Sequence, residues 1–251
     1  MQLAYSGLSD VGRVREHNED AHLIADDIGL FVVADGMGGH LGGRTASKLA
    51  IKTFDESVRR SLPQIEEGAG AEPIASSPVP KLLAEAVRQA CFAVYDEAQK
   101  KPELQGMGTT ITGLLIQKDR AFIVHVGDSR CYLQRDDRII QISDDHSLVN
   151  EQIKAGIITL EQARSSRLRN IITRSVGFEK DVAVDTFAMS LHVGDKFLVC
   201  SDGLANNVDD TEMGVALRTM AINDVPKMMI KYANDRGGDD NITVVCVEAK
   251  T

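Results

Sequence analysis

The chain has 251 residues, with 28 Lys plus Arg against 37 Asp plus Glu and a formal net charge of −9. Such a length suits one large domain or two small ones, and a unit of this size buries roughly 70–75% of its unfolded surface, so it needs no disulfide or metal staple to fold. The acidic balance argues against a binder of the nucleic-acid backbone, which wants a basic footprint, and suits a protein that gathers cations.

At the N-terminus, Met1 to Gly7 offers neither a basic n-region nor an apolar h-region, so no signal peptide is expected. No apolar run approaches the ~20 residues of a membrane span. The pair Glu19-Asp20 precedes the apolar stretch Ala21–Ala25, and the β-branched run Leu30–Ala34 leads into Asp35-Gly36. Helical periodicity follows at Ala46, Leu49, Ala50, Phe54 and Val58, and again from Leu82 to Val94. Between them, Pro63 to Pro80 reads as a flexible surface loop. Two further strand-like runs, Ile111–Ile116 and Ala121–Val126, are followed by Gly127-Asp128. Residues 147–168 have a helical pattern with weak apolar content and read as a small mobile excursion. The run Lys196–Cys200 precedes Asp202-Gly203; Asp209 with Glu212 forms a capping-box pattern; Pro226 sits in the first turn of a helix after Asp224; and Asp240-Asn241 opens Ile242–Val247. Cys131, Cys200 and Cys246 lie in strand-like runs and, like Cys91, are too widely spaced for a C-x-x-C device, so buried reduced thiols in a cytoplasmic protein are expected. Grouped strands and paired helices, without strict β-α-β alternation, imply an α+β fold with antiparallel sheet.

The acids carry the chemical signal. Any single Asp-Gly is an ordinary turn, but five acids stand at strand ends, four of them with glycine close by. If neighbouring strands align, these carboxylates meet at one sheet edge, where they repel unless something positive neutralises them. A hard divalent cation is the natural partner. The acid pairs Asp26-Asp27 and Asp136-Asp137, in expected hairpin turns, need only solvent. A rival reading takes Gly38 to Thr45, G-x-x-x-x-G-R-T, as a P-loop, but Arg stands where a compact Lys belongs and no β-α-β frame surrounds it. The chain contains no G-x-S-x-G, no H-E-x-x-H, no Cys with Arg six residues on and no D-x-D, which leaves water activated by metal.

Together, Arg15-Glu16-His17-Asn18-Glu19-Asp20, Val33-Ala34-Asp35-Gly36-Met37-Gly38-Gly39-His40, Met107-Gly108-Thr109-Thr110, Gly127-Asp128-Ser129-Arg130, Asp145-His146-Ser147, Ile172 to Gly177, Ser201-Asp202-Gly203 and Asp240-Asn241-Ile242 make the chain resemble the bacterial branch of the metal-dependent protein phosphatases, the protein phosphatase 2C family. The resemblance spans about residues 15–243. It implies a four-layer α-β-β-α sandwich, two antiparallel sheets packed face to face with a helix pair outside each, forming one phosphatase domain over residues 1–251 with a small flap at 147–168. It implies hydrolysis of phosphoserine and phosphothreonine on proteins, with Mg²⁺ or Mn²⁺, two to three per chain. By resemblance Asp35 bridges two metals, the Gly36 carbonyl joins one, and Asp202 with Asp240 joins the other. Asp20 holds metal-bound water with help from Glu19, Asp128 joins a third metal together with Asp202, and Arg15 binds the substrate phosphate. His40 is either the general acid or a residue that ties down its glycine-rich loop, because Met37 stands directly after Asp-Gly where animal members have histidine; His146 carries the same two readings. The implied partners are phosphoproteins, with no nucleic acid and no membrane, and the chain is expected to be a monomer. A catalytically silent regulatory module of the same fold is the alternative, and retention of every acid the chemistry needs favours the enzyme.

Overall fold

Strand β3 (Leu30–Ala34) shows how the chain is layered. It is buried along its whole length, and alternate side chains enter different cores. Phe31 and Val33 face a second sheet, whereas Leu30, Val32 and Ala34 face helices. Strand β12 (Ile242–Lys250) repeats the division on the other sheet, with Val245 and Val247 inward and Ile242, Val244 and Cys246 outward. Sheets covered on both faces explain why the central strands read as unbroken apolar runs rather than as alternating ones.

The computed structural model describes residues 1–38, 41–66, 73–164 and 166–251. One five-stranded sheet has the order β1-β12-β11-β8-β9, where β1 is Gln2–Asp10, β11 Lys196–Cys200, β8 Arg130–Arg135 and β9 Arg138–Gln141. The other runs β10-β7-β6-β3-β2, with β10 Asp185–Ser190, β7 Arg120–Val126, β6 Ile111–Gln117 and β2 Ala21–Ala25. All pairings within both sheets are antiparallel. Helices α1 (Gly42–Glu66) and α2 (Val79–Lys100) cover the second sheet. The short α5 (Asp202–Ala205) with α6 (Asp210–Thr219) and α7 (Val225–Asp235) covers the first. This is the expected four-layer α-β-β-α sandwich. A two-stranded ribbon, β4 (Gly36–Met37) with β5 (Gly108–Thr109), sits beside it.

The expected capping box on α6 forms: the Asp209 side chain accepts from the Glu212 amide at 3.0 Å and the Glu212 carboxylate from the Asp209 amide at 3.3 Å. All four cysteines are buried and free. Among the described residues no helix is long and apolar enough to cross a membrane.

Two expectations need correction. The segment 63–80 is not loop throughout, since α1 continues through Pro63 to Glu66 and α2 begins at Val79. Proline near a helix C-terminus forfeits one hydrogen bond, and burial of Leu62, 3% exposed, against the core outweighs that loss. Residues 67–72 lie outside the described residues. The helical pattern expected from 147 onward is found, as helices α3 (Leu148–Lys154) and α4 (Leu160–Arg164), with the Ser147 side chain capping α3. The hairpin acids also have partners beyond solvent: Asp26 accepts from the Tyr5 hydroxyl at 2.5 Å, and Asp27 pairs with Arg59 at 2.5 Å.

His125 on β7 is fully buried, with Nε2 3.0 Å from the Asp144 carbonyl and Nδ1 2.9 Å from the Thr112 hydroxyl across the β6–β7 ladder. Burial, then the neighbouring His146, pushes its pKa down to about 4 from an ordinary 6.5. The unfolded chain therefore binds this proton first, so the contribution is complete above pH 6.5 and is lost as pH falls toward 4. Over that window the shift is worth about 3 kcal/mol. Urea unfolding of wild type and His125→Gln should show a stability gap that narrows by this order between pH 7 and pH 4. A gap independent of pH would refute a neutral buried imidazole.

Candidate active site

The five acids are brought together by register. Ala21 opposes Ala34 and Ile111 opposes Val126 in one sheet; Cys200 opposes Val244 and Asp10 opposes Ile242 in the other. The start of β2 and the ends of β3 and β7 thus share one edge with the end of β11 and the start of β12. Asp20, Asp35, Asp128, Asp202 and Asp240 stand at these five strand ends. Asp128 occupies the link Gly127-Asp128-Ser129, by which β7 of one sheet passes to β8 of the other.

Each backbone position is fixed by its neighbours. The Asp35 amide donates to the Thr110 hydroxyl at 2.9 Å, and the Asp35 carbonyl accepts from the Thr110 amide and the Thr109 hydroxyl, both at 2.8 Å. Gly36 is required by close approach, because a Cβ there would lie 2.1 Å from the Gly43 carbonyl oxygen and 2.6 Å from that of Glu19. Ser47 on α1 donates to the Glu19 carbonyl at 2.6 Å, tying that helix to the same corner. Gly203 lies so close to Asn241 that a Cβ would fall 2.0 Å from its carbonyl oxygen.

The Asp20 carboxylate accepts from Ser201 at 2.8 Å and Thr243 at 2.7 Å, both through Oδ2. Its other oxygen has no donor among the described residues. The same holds for one buried oxygen each of Glu19, Asp128 and Asp202. The Asp35 and Asp202 carboxylates line the same cleft. Burial, followed by Asp20, Asp202, Asp128 and Asp240, raises the Asp35 pKa well above the usual carboxylate range. Burial pushes Asp20 to about 7 against its two hydroxyl donors, and pushes Asp202 to about 6 with help from Asp240. Asp128 is raised by burial and then by Asp202 and Asp145.

Arg15 is half exposed, and its guanidinium donates to Asp240 at 2.8 Å. Burial works against its charge, but Asp240, then Glu19 and Asp35, hold its pKa above the ordinary value. Asp240 is thereby committed on both oxygens, the second accepting from the Asn241 amide at 2.9 Å. Asp202 Oδ2 likewise accepts from Asn206 at 3.1 Å. These commitments bear on the fit to metal. Among the described residues, no three His, Cys, Asp or Glu side chains form a group able to hold an ion as they stand. The donor set nevertheless fits hard divalent cations, because among the described residues four buried carboxylate oxygens without a donor surround one corner and no cysteine or histidine lines it. Turning Asp240 away from Arg15 would complete the set expected from the sequence.

Arg15, Glu19, Asp35, Gly36, Asp128, Asp202 and Asp240 line one cleft of about 720 Å³. Asp20 lies behind them. His40 and Gly39 lie outside the described residues. His146 has both ring nitrogens engaged, Nδ1 accepting from the Gly127 amide at 3.1 Å and Nε2 lying 3.1 Å from Asp185, so it fixes the approach to Asp128 rather than reaching into the cleft. The P-loop reading of Gly38–Thr45 fails on its frame, since the strand before the segment is paired antiparallel on both sides. Sequence reasoning assigned no role to Asn241. Its side-chain amide donates to the carbonyls of Val11 at 2.9 Å and His17 at 3.0 Å and accepts from the Glu19 amide at 2.8 Å, so it holds the loop that carries Arg15.

The chain matches the protein phosphatase 2C family over residues 12–238 and belongs to it; it is an enzyme, a protein phosphatase. Among its relatives, the serine/threonine phosphatase stp of Listeria welshimeri serovar 6b is 36% identical over 244 residues, covering 96% of this chain and 93% of its own. The crystal structure of serine/threonine phosphatase Stp1 from Staphylococcus aureus matches with a TM-score of 0.88 at 32% identity, covering 100% of this chain and 96% of that one. The catalytic domain of the serine/threonine protein phosphatase PstP, solved in complex with 2 manganese ions, matches with a TM-score of 0.81 at 33% identity, covering 99% of both chains.

A ligand that binds only the folded state stabilises it, by about 2.7 kcal/mol at a hundredfold excess over its dissociation constant. Mn²⁺ should therefore raise the melting temperature of the wild-type protein. Asp35→Asn removes a charge from a repelling group, so the metal-free variant should melt at or above wild type and gain less from Mn²⁺. Calorimetry showing no Mn²⁺ effect on wild type would contradict a cation site at this corner.

Proposed function

We propose that this protein phosphatase hydrolyses phosphoserine and phosphothreonine monoesters on proteins, with two or three Mg²⁺ or Mn²⁺ ions held at the end of the sandwich. The observation that carries this reading is the convergence of five strand-end aspartates on one corner, with buried oxygens lacking donors and Arg15 beside them. Asp35, the Gly36 carbonyl, Asp202 and Asp240 are the residues that would hold a pair of ions, and Asp128 with Asp202 a third. Such ions, when bound, acidify water to supply the nucleophile and offset charge on the phosphoryl group.

The remaining roles belong to the chain itself. Asp20, fixed by Ser201 and Thr243, presents its free oxygen to water behind the ligands, and Glu19 adds a second acceptor. Arg15 exchanges its contact with Asp240 for the substrate phosphoryl group, where a planar fork of donors suits two oxygens at once. Phosphoryl transfer asks mainly for positioning and charge stabilisation, and the fixed backbones of Asp35 and Gly36 supply the first. Helices α3 and α4, whose Val149, Ile153 and Leu160 line a groove together with Asp128 and Asp202, form the flap beside this corner. One chain supplies every residue named, in keeping with a monomer, and the four buried free thiols suit a reducing cytoplasm.

Chelation of divalent metal should abolish hydrolysis of an aryl phosphate and Mn²⁺ should restore it; full activity in chelator would end this reading. Under saturating Mn²⁺, Asp35→Ala should lower kcat by on the order of a thousandfold, a loss of about 4 kcal/mol of transition-state stabilisation. Arg15→Ala should act mainly on KM, as loss of phosphate binding does. A fall in kcat with KM unchanged would instead place Arg15 at the transition state.

A further inference from the structure

The cleft has a second wall that the catalytic reading leaves without a role. It is formed by the segment 173–183, which continues past Gly177 beyond the last motif residue there. This wall is held at several points. Val176 and Thr109 exchange backbone hydrogen bonds of 2.8 and 3.0 Å. The Gly177 amide donates to the Cys91 sulfur on α2 at 3.3 Å, and that thiol donates to the Glu179 carbonyl at 3.2 Å. Phe178 sits between these two anchors, yet its side chain is 63% exposed, the most exposed aromatic residue among the large hydrophobics left in solvent. Phe31, Phe54, Phe122 and Phe197, by contrast, are fully buried. An aromatic ring kept in water on a fixed backbone, at the rim of a cleft, is the arrangement that binds a partner's apolar side chain at low entropic cost.

The segment carries two charges of each sign, Arg174 and Lys180 against Glu179 and Asp181, and three of the four are engaged: Lys180 Nζ lies over the Phe92 ring, 5.7 Å from its centroid. Arg174 is tied to Asp185 at 3.0 Å, and Asp181 accepts from the Val182 amide at 2.8 Å and lies 3.8 Å from Arg88. The exposed Glu179 carboxylate has no ion-pair partner among the described residues. Cations bound at the aspartate corner would offset that cluster and leave Glu179 uncompensated.

We propose that Phe178 and Glu179 read the residues beside the phosphorylated one, favouring segments that carry an apolar and a basic side chain next to phosphoserine or phosphothreonine. The inference rests on the phosphatase reading above and names the substrate class of that same cleft. Both side chains act on the peptide and neither reaches the phosphoryl group, so their loss should spare a substrate that lacks a peptide.

The test uses the Mn²⁺-loaded full chain and three substrates: p-nitrophenyl phosphate, a phosphopeptide flanked by Leu and Arg, and the same peptide with Glu in place of Arg. Wild type should prefer the Arg peptide by about tenfold in kcat/KM. Phe178→Ala should raise KM for both peptides by about fivefold, a loss typical of one truncated contact residue. Glu179→Lys should erase or invert the preference between the peptides. Both variants should retain wild-type rates on p-nitrophenyl phosphate. Wild-type indifference to the flanking charge, or variants that treat both peptides as wild type does, would overturn the proposal while leaving the phosphatase reading intact. Absence of wild-type activity on all three substrates would overturn both.

Discussion

Mutual repulsion among buried carboxylates is the constraint around which this structure is organised. Asp20, Asp35 and Asp128 have pKa values raised by burial and by neighbouring acids of the corner, and Asp202 is raised by burial and by Asp240. Such a corner costs stability in any fold that builds it, and a side chain free to move would swing out to water. Here the carboxylates cannot disperse, because each hangs from a strand end whose register is set by cores on both faces of the sheet. The stability that holds the corner together is apolar and lies elsewhere in the molecule. Separating the source of stability from the site of chemistry lets the acids remain underneutralised until something positive arrives.

Compensation inside the protein is selective. Asp20 receives two hydroxyl donors and Asp240 receives Arg15, while Arg130 neutralises Asp145 through a contact of 2.6 Å rather than Asp128 two residues before it. Four carboxylate oxygens at this corner have no donor among the described residues. Unpaired polar atoms are normally rare in protein interiors, so their concentration at one end marks a place where a ligand, not the protein, completes the electrostatics.

The layered architecture was legible because its cause is local. Short apolar runs bounded by Gly and Asp favour strands over helices, and Leu30–Ala34 and Lys196–Cys200 fall where the sequence puts them. Edge elements were harder. Strand β1 pairs along nine residues with β12, but its sequence mixes Ser, Gly and Asp with apolar residues and most of it is only partly buried, so it has no strong period. The Pro63 break was misread for the complementary reason: a local signal for stopping a helix was outweighed by burial of Leu62 and partial burial of Ile65, which only the folded core reveals.

The acids themselves could be found from sequence because a strand end is a position that sequence pattern specifies. Their supports could not. Asn241 fixes residues 11, 17 and 19 through hydrogen bonds that span more than 220 positions, and Thr110 grips Asp35 across 75. A hydrogen bond is directional and short, so which amide meets which carbonyl depends on register and twist summed over whole sheets. An asparagine after an aspartate at a strand start reads as an ordinary turn residue until the Arg15 loop is folded against it. Charge reaches across the same distances without fine geometry, which is why clustered acids announce a site in the sequence while the neutral residues that aim them stay silent.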